Sequence, residues 1–315
     1  VKLFESPNGW QQYLGQRLLM EHYCTANFQK ELRTTQTSLR RLVQLHPNPT
    51  TRLHALWTAD YLGGSGRGDI LHCLKNPDAH VRHDAVKLAK PWYDHEDIFT
   101  RLSELASDEN ASVRFQVALA IGESKHPEAT KILASLAMKD GEDSWFVSGL
   151  LTSTRERSGA ILSEIVSKPE YVADGNVAKA QLVKSLANVV GVRGDVEELS
   201  QLLTLLSGDG SSSSKGAGNW WQAAAISGLG QGLPRYRGDL GRLSLPLLLD
   251  NPPAGLKDAA GGMQELLAQS QTAALDRNRP AAGRAAALEL LAYRPFAEAA
   301  PAFEELLETD QPIEV

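Results

Sequence analysis

Cysteine is scarce in this sequence. Cys24 and Cys73 are the only two among 315 residues, and neither belongs to a C-x-x-C motif. Zinc-ribbon, thioredoxin-like and c-type haem-attachment motifs are therefore absent from the chain. Each cysteine is predicted to be a small buried apolar residue. A disulfide between them stays an open question, because sequence alone does not bring two thiols within bonding distance.

Long apolar runs and an excess of positive charge are also missing. The longest apolar run, LSLPLLL at 243–249, falls well short of the roughly 20 residues that span a bilayer. Residues 1–20 include Glu5 and Arg17, so they do not have the composition of a signal peptide. The net charge is −6 and no basic stripe is present, so nucleic acid is not an expected partner.

Aromatic residues contribute only 6% of the chain, whereas alanine and leucine are abundant. Because alanine and leucine lose little entropy in helices, this composition favours a helical protein. The 42% apolar and 22% charged residues are ordinary for a soluble domain that is long enough to bury a core. The chain begins at Val1 and ends in TDQPIEV, so it is expected to be part of a longer protein.

An internal repeat is the strongest feature that is present. NPDAHVRHDAVKLAK at 76–90 aligns without a gap with DENASVRFQVALAIG at 108–122, 32 positions further on. Both stretches contain an arginine followed by small or aliphatic residues three, four and seven positions later. Four arginines have this setting: Arg52, Arg82, Arg114 and Arg284.

This spacing predicts pairs of helices. Positions i, i+3, i+4 and i+7 share one helix face, and a second apolar-periodic segment precedes most copies. Each unit of roughly 30 residues is therefore two antiparallel helices, which bury their faces only by stacking on neighbouring units. The fold class is predicted to be all-α, a right-handed solenoid of about seven to nine helix pairs. Arg82 and Arg114 are expected to do equivalent structural work, near carboxylates or carbonyls of a neighbouring repeat.

A composition shift suggests how the array is divided. We predict a first array over 1–206, a flexible Gly/Ser loop, SGDGSSSSKGAGN, over 207–219, and a second array over 220–315 that is continuous with the first. All eight histidines precede residue 127, which agrees with two sub-arrays.

The tripeptide RGD occurs at 67–69, 193–195 and 237–239. An adhesion motif is one interpretation, but helix-to-helix turns explain it better. Glycine is common just past a helix end, and aspartate is a favoured N-cap for the next helix. Asp195, followed by Glu198, also predicts a capping box.

No motif for chemistry is complete. A zinc site is one interpretation of the densest polar cluster: His72, Cys73, His80, His83 and His95. The cluster has no recognised ligand spacing, and polar residues are normal at a helix start. The Gly-rich segment 63–69 lacks the ending of a phosphate loop, and no serine has a G-x-S-x-G setting. We therefore predict no catalytic, cofactor-binding or metal-ligating residue.

The tryptophans are predicted to pack within the array. Trp57 and Trp92 lie in or beside apolar helices and are expected in the core. Trp220 and Trp221 are adjacent, so one helix face does not bury both. One of them is expected to contact the next repeat or a partner protein.

Two stretches carry a more specific resemblance. PNGWQQYLGQRLLMEH from Pro7 and RLHALWTADYLGG from Arg52 resemble the opening of the HEAT array in large PVC-type proteins. The shared positions are Pro7, Asn8, Gly9, Trp10, Gln16, Arg17, Leu18, Leu19, Glu21, Arg52, His54, Ala55, Leu56, Trp57 and Gly63. The resemblance covers residues 6–90. It departs at Gln11, Gln12 and Tyr13, where the family has a second tryptophan and an Arg-Asp pair.

The resemblance implies a HEAT-like α-α superhelix that is a non-catalytic scaffold. Such proteins join a membrane-bound-dehydrogenase-like β-propeller to a haem-binding cytochrome domain. The implied partners are those two domains or a protein in the concave face, with no membrane span in this chain. No cofactor is implied here, and haem c would belong to the parent protein, in a periplasmic or otherwise extracytoplasmic location. The alternative is a stand-alone HEAT-like protein with its own small-molecule binding or lyase-type activity.

Overall fold

A computed structural model describes residues 1–25, 29–208, 220–239, 241–308 and 310–312. Within these ranges the chain forms 18 α-helices and no strand, so the predicted all-α class is confirmed. The α-helices are α1 Gly9–Thr25, α2 Gln29–Leu45, α3 Pro49–Tyr61, α4 Arg67–Cys73, α5 Ala79–Leu88, α6 Glu96–Leu105, α7 Ala111–Glu123, α8 Ala129–Asp140, α9 Ser144–Thr154, α10 Ser158–Val166, α11 Pro169–Val172, α12 Val177–Arg193, α13 Val196–Ser207, α14 Trp220–Gly232, α15 Leu245–Asp250, α16 Lys257–Leu275, α17 Ala281–Leu291 and α18 Phe296–Glu308. Short 3-10 helices cover Lys2–Glu5, Lys90–Trp92, Arg155–Arg157, Leu233–Arg235 and Ala254–Leu256.

The chain divides into two compact units, Val1–Ile132 and Leu133–Val315. In the first unit α1, α3, α5 and α7 pack side by side as one layer, while α2, α4 and α6 form the other. The two layers meet where α2 packs on α3, α4 on α5 and α6 on α7. The predicted stacking of helix pairs is therefore present in this unit.

The second unit is built by the same rule. Here α9, α12, α14 and α17 form one layer, and α10, α13, α16 and α18 form the other. Residues 209–219 of the predicted loop lie outside the described residues, so the division of the array at 207–219 stays a prediction. The helices that flank this segment are α13 and α14, and α14 packs mainly on α12, the helix before α13.

The loops that begin α3, α5 and α7 share one hydrogen-bonding arrangement. An Asn or Asp N-cap accepts from the backbone N–H two residues later, and its own N–H donates to the side chain two residues earlier. The caps are Asn48, Asp78 and Asn110, at 2.9 Å in each repeat, and the earlier side chains are those of His46, Asn76 and Asp108. The start of α3, α5 and α7, the second helix of each pair, is therefore marked by one sequence pattern: a polar residue, any residue, and then the Asn or Asp N-cap.

The three RGD tripeptides have three different settings. Only 193–195 matches the prediction, with Gly194 left-handed at φ 64° after α12 and Asp195 capping α13. In 67–69 the aspartate lies inside the first turn of α4, where Asp69 accepts from the N–H of Gly66 at 3.1 Å. The tripeptide at 237–239 lies in the turn between the 3-10 helix Leu233–Arg235 and α15, but the N-cap of α15 is Ser244, so the predicted N-cap role of its aspartate is wrong.

Helices α12 and α14 approach each other unusually closely through glycine. A Cβ built on Gly228 would lie 2.0 Å from the carbonyl oxygen of Lys184, and one on Gly232 would lie 2.3 Å from that of Asn188. Real Cβ atoms do not come so near to backbone oxygens. The sequence pattern indicated small residues on this stripe, and the structure shows that two of them are required by contact with backbone.

The hydroxyl of Tyr171 is a buried polar group without a partner in the described chain. The side chain is 5% exposed, its Oη accepts and donates no hydrogen bond there, and burial raises its pKa to about 12. An unsatisfied hydroxyl stabilises nothing, whereas a satisfied one contributes about 1 kcal/mol. Tyr171→Phe is therefore expected to leave the free energy of unfolding unchanged or to raise it by up to about 1 kcal/mol.

Urea denaturation of Tyr171→Phe and of a matched control, Tyr93→Phe, measures the change in the free energy of unfolding. Tyr93 is equally buried, at 6% exposed, but its Oη donates to the carbonyl of Val86 at 3.0 Å. Tyr93→Phe should lower the free energy of unfolding by about 1 kcal/mol. An equal loss for Tyr171→Phe would show that its hydroxyl is bonded.

Candidate interaction surface

Arg82 and Arg114 turn inward and hold the repeat loops. The Nη1 of Arg82 donates to the carbonyls of Asn76 and Pro77 at 2.9 and 2.8 Å. The Nη1 of Arg114 donates to the carbonyls of Asp108 and Glu109 at 2.7 and 3.1 Å, again six and five residues earlier. Both side chains are buried and begin near the start of the second helix. The two arginines are therefore equivalent, as predicted, but the carbonyls that they share as partners belong to the loop of their own repeat and not to a neighbouring one.

The other two arginines of the repeat share this hydrogen-bonding arrangement only in part. Arg52 donates through Nε to the carbonyl of His46, six residues earlier, as in the later repeats. Arg284 instead donates to the carbonyl of Ala274 at 2.8 Å and to Oε1 of Gln311 at 2.7 Å. The arginine is therefore a loop anchor in α3, α5 and α7, and it has a different set of partners in α17.

Arg82 also bridges to the following repeat. Its Nε and Nη2 donate to both carboxylate oxygens of Asp108, at 2.7 and 2.8 Å, in a bidentate pair that is almost fully buried. Burial by itself would raise the pKa of Asp108. The hydrogen bonds from Arg82 and from the N–H of Asn110 outweigh it, together with the charges of Arg82 and Arg101, so the pKa is lowered from 3.8. The pair is a structural element of the stack.

Because the arginines point inward, the opposite side of the second helices faces solvent. We name this side, in the first unit, the second-helix face. Its exposed or half-buried residues are Thr50, Leu53, Trp57 and Tyr61 on α3, His80, His83, Asp84 and Lys87 on α5, and Ser112, Phe115, Gln116, Leu119 and Glu123 on α7. The face mixes aromatic, aliphatic and ionisable side chains.

The carboxylate of Asp84 contacts three side chains in the middle of the second-helix face. Asp84 accepts from Trp57 Nε1 at 2.8 Å and is 2.9 Å from His83 Nδ1. Lys87 Nζ is 3.7 Å from the same carboxylate. The Trp57 ring is thereby fixed on α3 by a residue of α5 while part of it stays exposed. Exposed aromatic side chains such as that of Trp57 are enriched at protein-binding surfaces.

A second contact joins α1 to the same layer. His54 Nδ1 donates to Oε1 of Gln16 at 2.8 Å, and burial lowers the pKa of His54. Of the other residues that carry the PVC-type resemblance, Trp10 is 69% exposed, and Arg17 and Glu21 form an exposed ion pair at 3.4 Å. Several of the shared positions thus lie on the surface, where core packing does not require them.

The predicted tryptophan environments are only partly right. Trp57 and Trp92 are half-buried, so neither belongs to the fully buried core. Trp220 donates through Nε1 to the carbonyl of Val172 at 2.9 Å and contacts the Tyr171 ring. Trp220 is therefore the member of the Trp220–Trp221 pair that contacts a preceding helix, and Trp221 is half-buried.

The sequence-based search missed Trp145 in the second unit. Its side chain is 84% exposed at the start of α9, where Asp143 caps the helix by accepting from the N–H of Trp145 at 2.8 Å. Trp145 thus follows its cap by two residues, as His80 and Ser112 follow theirs. The signal was present in the spacing of DSW, but no prediction was made for this residue.

The weighed zinc candidates do not converge. His72 and His80 are exposed, Cys73 is buried without a disulfide, and His95 lies 2.8 Å from Nη1 of Arg67. Burial raises the pKa of the Cys73 thiol to about 12, and the side chain of Cys24 is not described. Across the described part of the chain, no three His, Cys, Asp or Glu side chains are grouped as metal ligands would be.

Part of the sequence is similar to a known repeat. A family model described as HEAT repeats matches residues 69–148, from α4 into α9. No curated protein and no solved structure matches the chain. No described helix combines the length and the apolar character needed to cross a bilayer. The chain is an all-α solenoid whose residues 69–148 are similar to HEAT repeats.

Proposed function

We propose that this chain is a non-catalytic scaffold that binds protein through the solvent side of its second helices. The observation that carries the proposal is the row of ordered, exposed residues on the second-helix face, with Trp57 held by Asp84. HEAT repeats commonly mediate protein–protein contacts, and the matched residues 69–148 include α5 and α7 of this face.

The energetics favour a protein partner. A side chain that is already fixed loses little conformational entropy when a partner covers it. Trp57 is fixed by its hydrogen bond to Asp84, and Trp145 is the most exposed of the described aromatic side chains. Tryptophan dominates binding energy where it enters a partner pocket. These two residues are therefore the expected anchors, each within its own unit.

The resemblance of residues 7–21 and 52–63 extends the proposal to particular partners. We propose that the array links a dehydrogenase-like β-propeller to a haem-binding cytochrome domain in an extracytoplasmic parent protein. The HEAT match begins at residue 69 and covers neither stretch, so this finer assignment rests on the resemblance alone.

Photo-crosslinking in the parent protein tests two proposals: that the second helices bind protein, and that the partners are the propeller and the cytochrome domain. A benzoylphenylalanine at position 145 is expected to crosslink to the propeller or the cytochrome domain, because Trp145 projects from α9. The control position is Leu45, which is 68% exposed at the end of α2, a first helix of the first unit, and should give no crosslink. A parent chain without those two domains would overturn the linking assignment. Crosslinks from 45 but not from 145 would overturn the use of the second helices.

A further inference from the structure

A small cavity lies between the two layers of the second unit. It has a volume of about 120 Å³ and is bordered by α16 of one layer and by α14 and α17 of the other. Its apolar walls include Ala223, Leu266, Ala273, Ala286, Ala287 and Leu290. Because all of its lining residues belong to the second unit, the cavity is part of the fold of that unit alone.

The repeat pattern explains why α17 leaves room at this place. The residues one position before and three positions after the repeat arginine belong to the buried stripe of the helix. In α7 these two residues are Val113 and Val117, and both are fully buried. In α17 they are Gly283 and Ala287, which both line the cavity. Smaller side chains at two interior positions therefore leave a volume that valines occupy in the earlier repeat.

Two buried polar side chains line this cavity. Gln222 is 4% exposed and Ser270 is 5% exposed. The Nε2 of Gln222 donates to the carbonyl of Leu206 at 2.8 Å, and the Oγ of Ser270 donates to the carbonyl of Leu267 at 2.6 Å. Within the described part of the chain, neither the amide oxygen of Gln222 nor the hydroxyl oxygen of Ser270 accepts a hydrogen bond. Both oxygens are therefore available to a donor in the cavity.

Arg279 is the charged residue among those that line the cavity. It precedes α17, its side chain is 55% exposed, and its Nε lies 3.7 Å from Oδ2 of Asp276. That separation exceeds hydrogen-bonding distance, so the guanidinium forms no hydrogen bond to any described residue. A guanidinium binds a carboxylate through two parallel hydrogen bonds. The cavity thus has a positive charge on its solvent side and hydrogen-bond acceptors on its buried side.

The size and the walls of the cavity restrict its occupant. A cavity of roughly 150 Å³ accommodates benzene, so this one fits a molecule of about six non-hydrogen atoms. Alanine and leucine walls favour carbon atoms, which an inorganic anion does not supply. The matching molecule has a carboxylate at one end, a hydroxyl group at the other and a short alkyl chain between them.

We propose that this cavity binds a short-chain hydroxycarboxylate. The carboxylate pairs with Arg279, the hydroxyl group donates to the amide oxygen of Gln222 or to the hydroxyl oxygen of Ser270, and the methylene groups contact the alanine walls. The proposal concerns binding alone. It involves neither the second-helix face nor Trp145, and it therefore goes beyond the proposed function.

Saturation-transfer NMR on the 315-residue chain tests the binding, with 3-hydroxypropionate as the probe. Saturable binding is expected, with a dissociation constant on the order of 1 mM for so small a ligand. Propionate lacks the hydroxyl group and 3-hydroxypropionamide lacks the charge, so each should bind about fivefold more weakly. A titration of 3-hydroxypropionate that shows no saturable binding would overturn the proposal.

A matched pair of arginine variants tests the charge. Arg279→Gln should weaken the binding of 3-hydroxypropionate about fivefold, because a charge-assisted hydrogen bond at an exposed arginine is partly screened. It should leave the binding of the neutral 3-hydroxypropionamide unchanged. Arg277→Gln is the control, since Arg277 is also exposed and does not line the cavity. It should bind all three probes like the unchanged chain.

Ala287→Val tests the location of the site, because it places in the cavity the residue that α7 has at this position. It should abolish the binding of all three probes and keep the helical circular dichroism signal. Binding that survives Ala287→Val, or that Arg277→Gln weakens as much as Arg279→Gln does, would assign the anion to the protein surface and overturn the proposal. Equal affinities for 3-hydroxypropionate and propionate would overturn the role of the two buried oxygens.

Discussion

Gly228→Ala is expected to destabilise the second unit by at least about 3 kcal/mol, the upper part of the range for overpacked sites. The added methyl group would lie 2.0 Å from the carbonyl oxygen of Lys184, and a backbone atom on a packed helix has no rotamer with which to yield. Relief requires α12 and α14 to move apart, and this separation opens voids along the rest of their contact.

Gly261→Ala is the matched control within the same unit. Gly261 is an exposed residue of α16 with nothing within 4 Å of a built Cβ. Alanine should therefore raise the free energy of unfolding by about 0.5 to 1 kcal/mol, because it has the higher helix propensity. Thermal and urea unfolding of both variants measure the difference. Similar effects of the two substitutions would mean that the close approach of α12 and α14 is absent.

Asp108→Asn should cost the first unit about 3 kcal/mol or more, because it removes one partner of a buried ion pair and leaves the charge of Arg82 uncompensated. The loop around residue 108 should survive, since at the equivalent position of the preceding repeat the amide oxygen of Asn76 accepts from the N–H of the N-cap residue Asp78. In the double variant Arg82→Met, Asp108→Asn, part of the lost free energy of unfolding should be recovered. Comparison with the two single variants in a double-mutant cycle gives the interaction energy of Arg82 and Asp108.

The contribution of Asp108 depends on pH in a defined direction. Its pKa is lowered in the folded protein, so the stabilisation is fully present above the unfolded value of about 4. It is lost as the pH falls through the lower, folded-state value. The gap in unfolding free energy between the unchanged protein and Asp108→Asn should be constant near neutrality and shrink in acid. Glu21→Gln, at an exposed ion pair, should show no such gap at any pH.

Regular features of this fold were predictable because they are local. The spacing after Arg82 and Arg114 indicated one buried face per helix, and the caps at Asp78 and Asn110 depend on residues two or three positions away. A repeat adds a further constraint, because two copies must satisfy the same geometry. The contact of Arg82 with Asp108 of the next repeat agrees with this expectation.

Features decided by distant parts of the chain were not predictable. Glu198 was expected to complete a capping box with Asp195, but its carboxylate accepts from the N–H of Gly159 at 2.9 Å and pairs with Arg193 at 2.6 Å. The exposure of Trp145 likewise depends on which helices lie beside α9. Hydrophobicity alone predicts burial for that residue, and the sequence holds no measure of the neighbouring surface.

Asp108 makes the folding of two successive repeats interdependent. Its Oδ1 accepts from the N–H of Asn110 within its own loop, and both its oxygens bind Arg82 of the repeat before. Opening either repeat therefore breaks bonds that the other also uses. In a linear array this is a strong nearest-neighbour coupling, which favours joint unfolding of both repeats over independent fraying. Because both repeats share this carboxylate, the segment from Asn76 to the end of α7 is expected to unfold as a single cooperative unit.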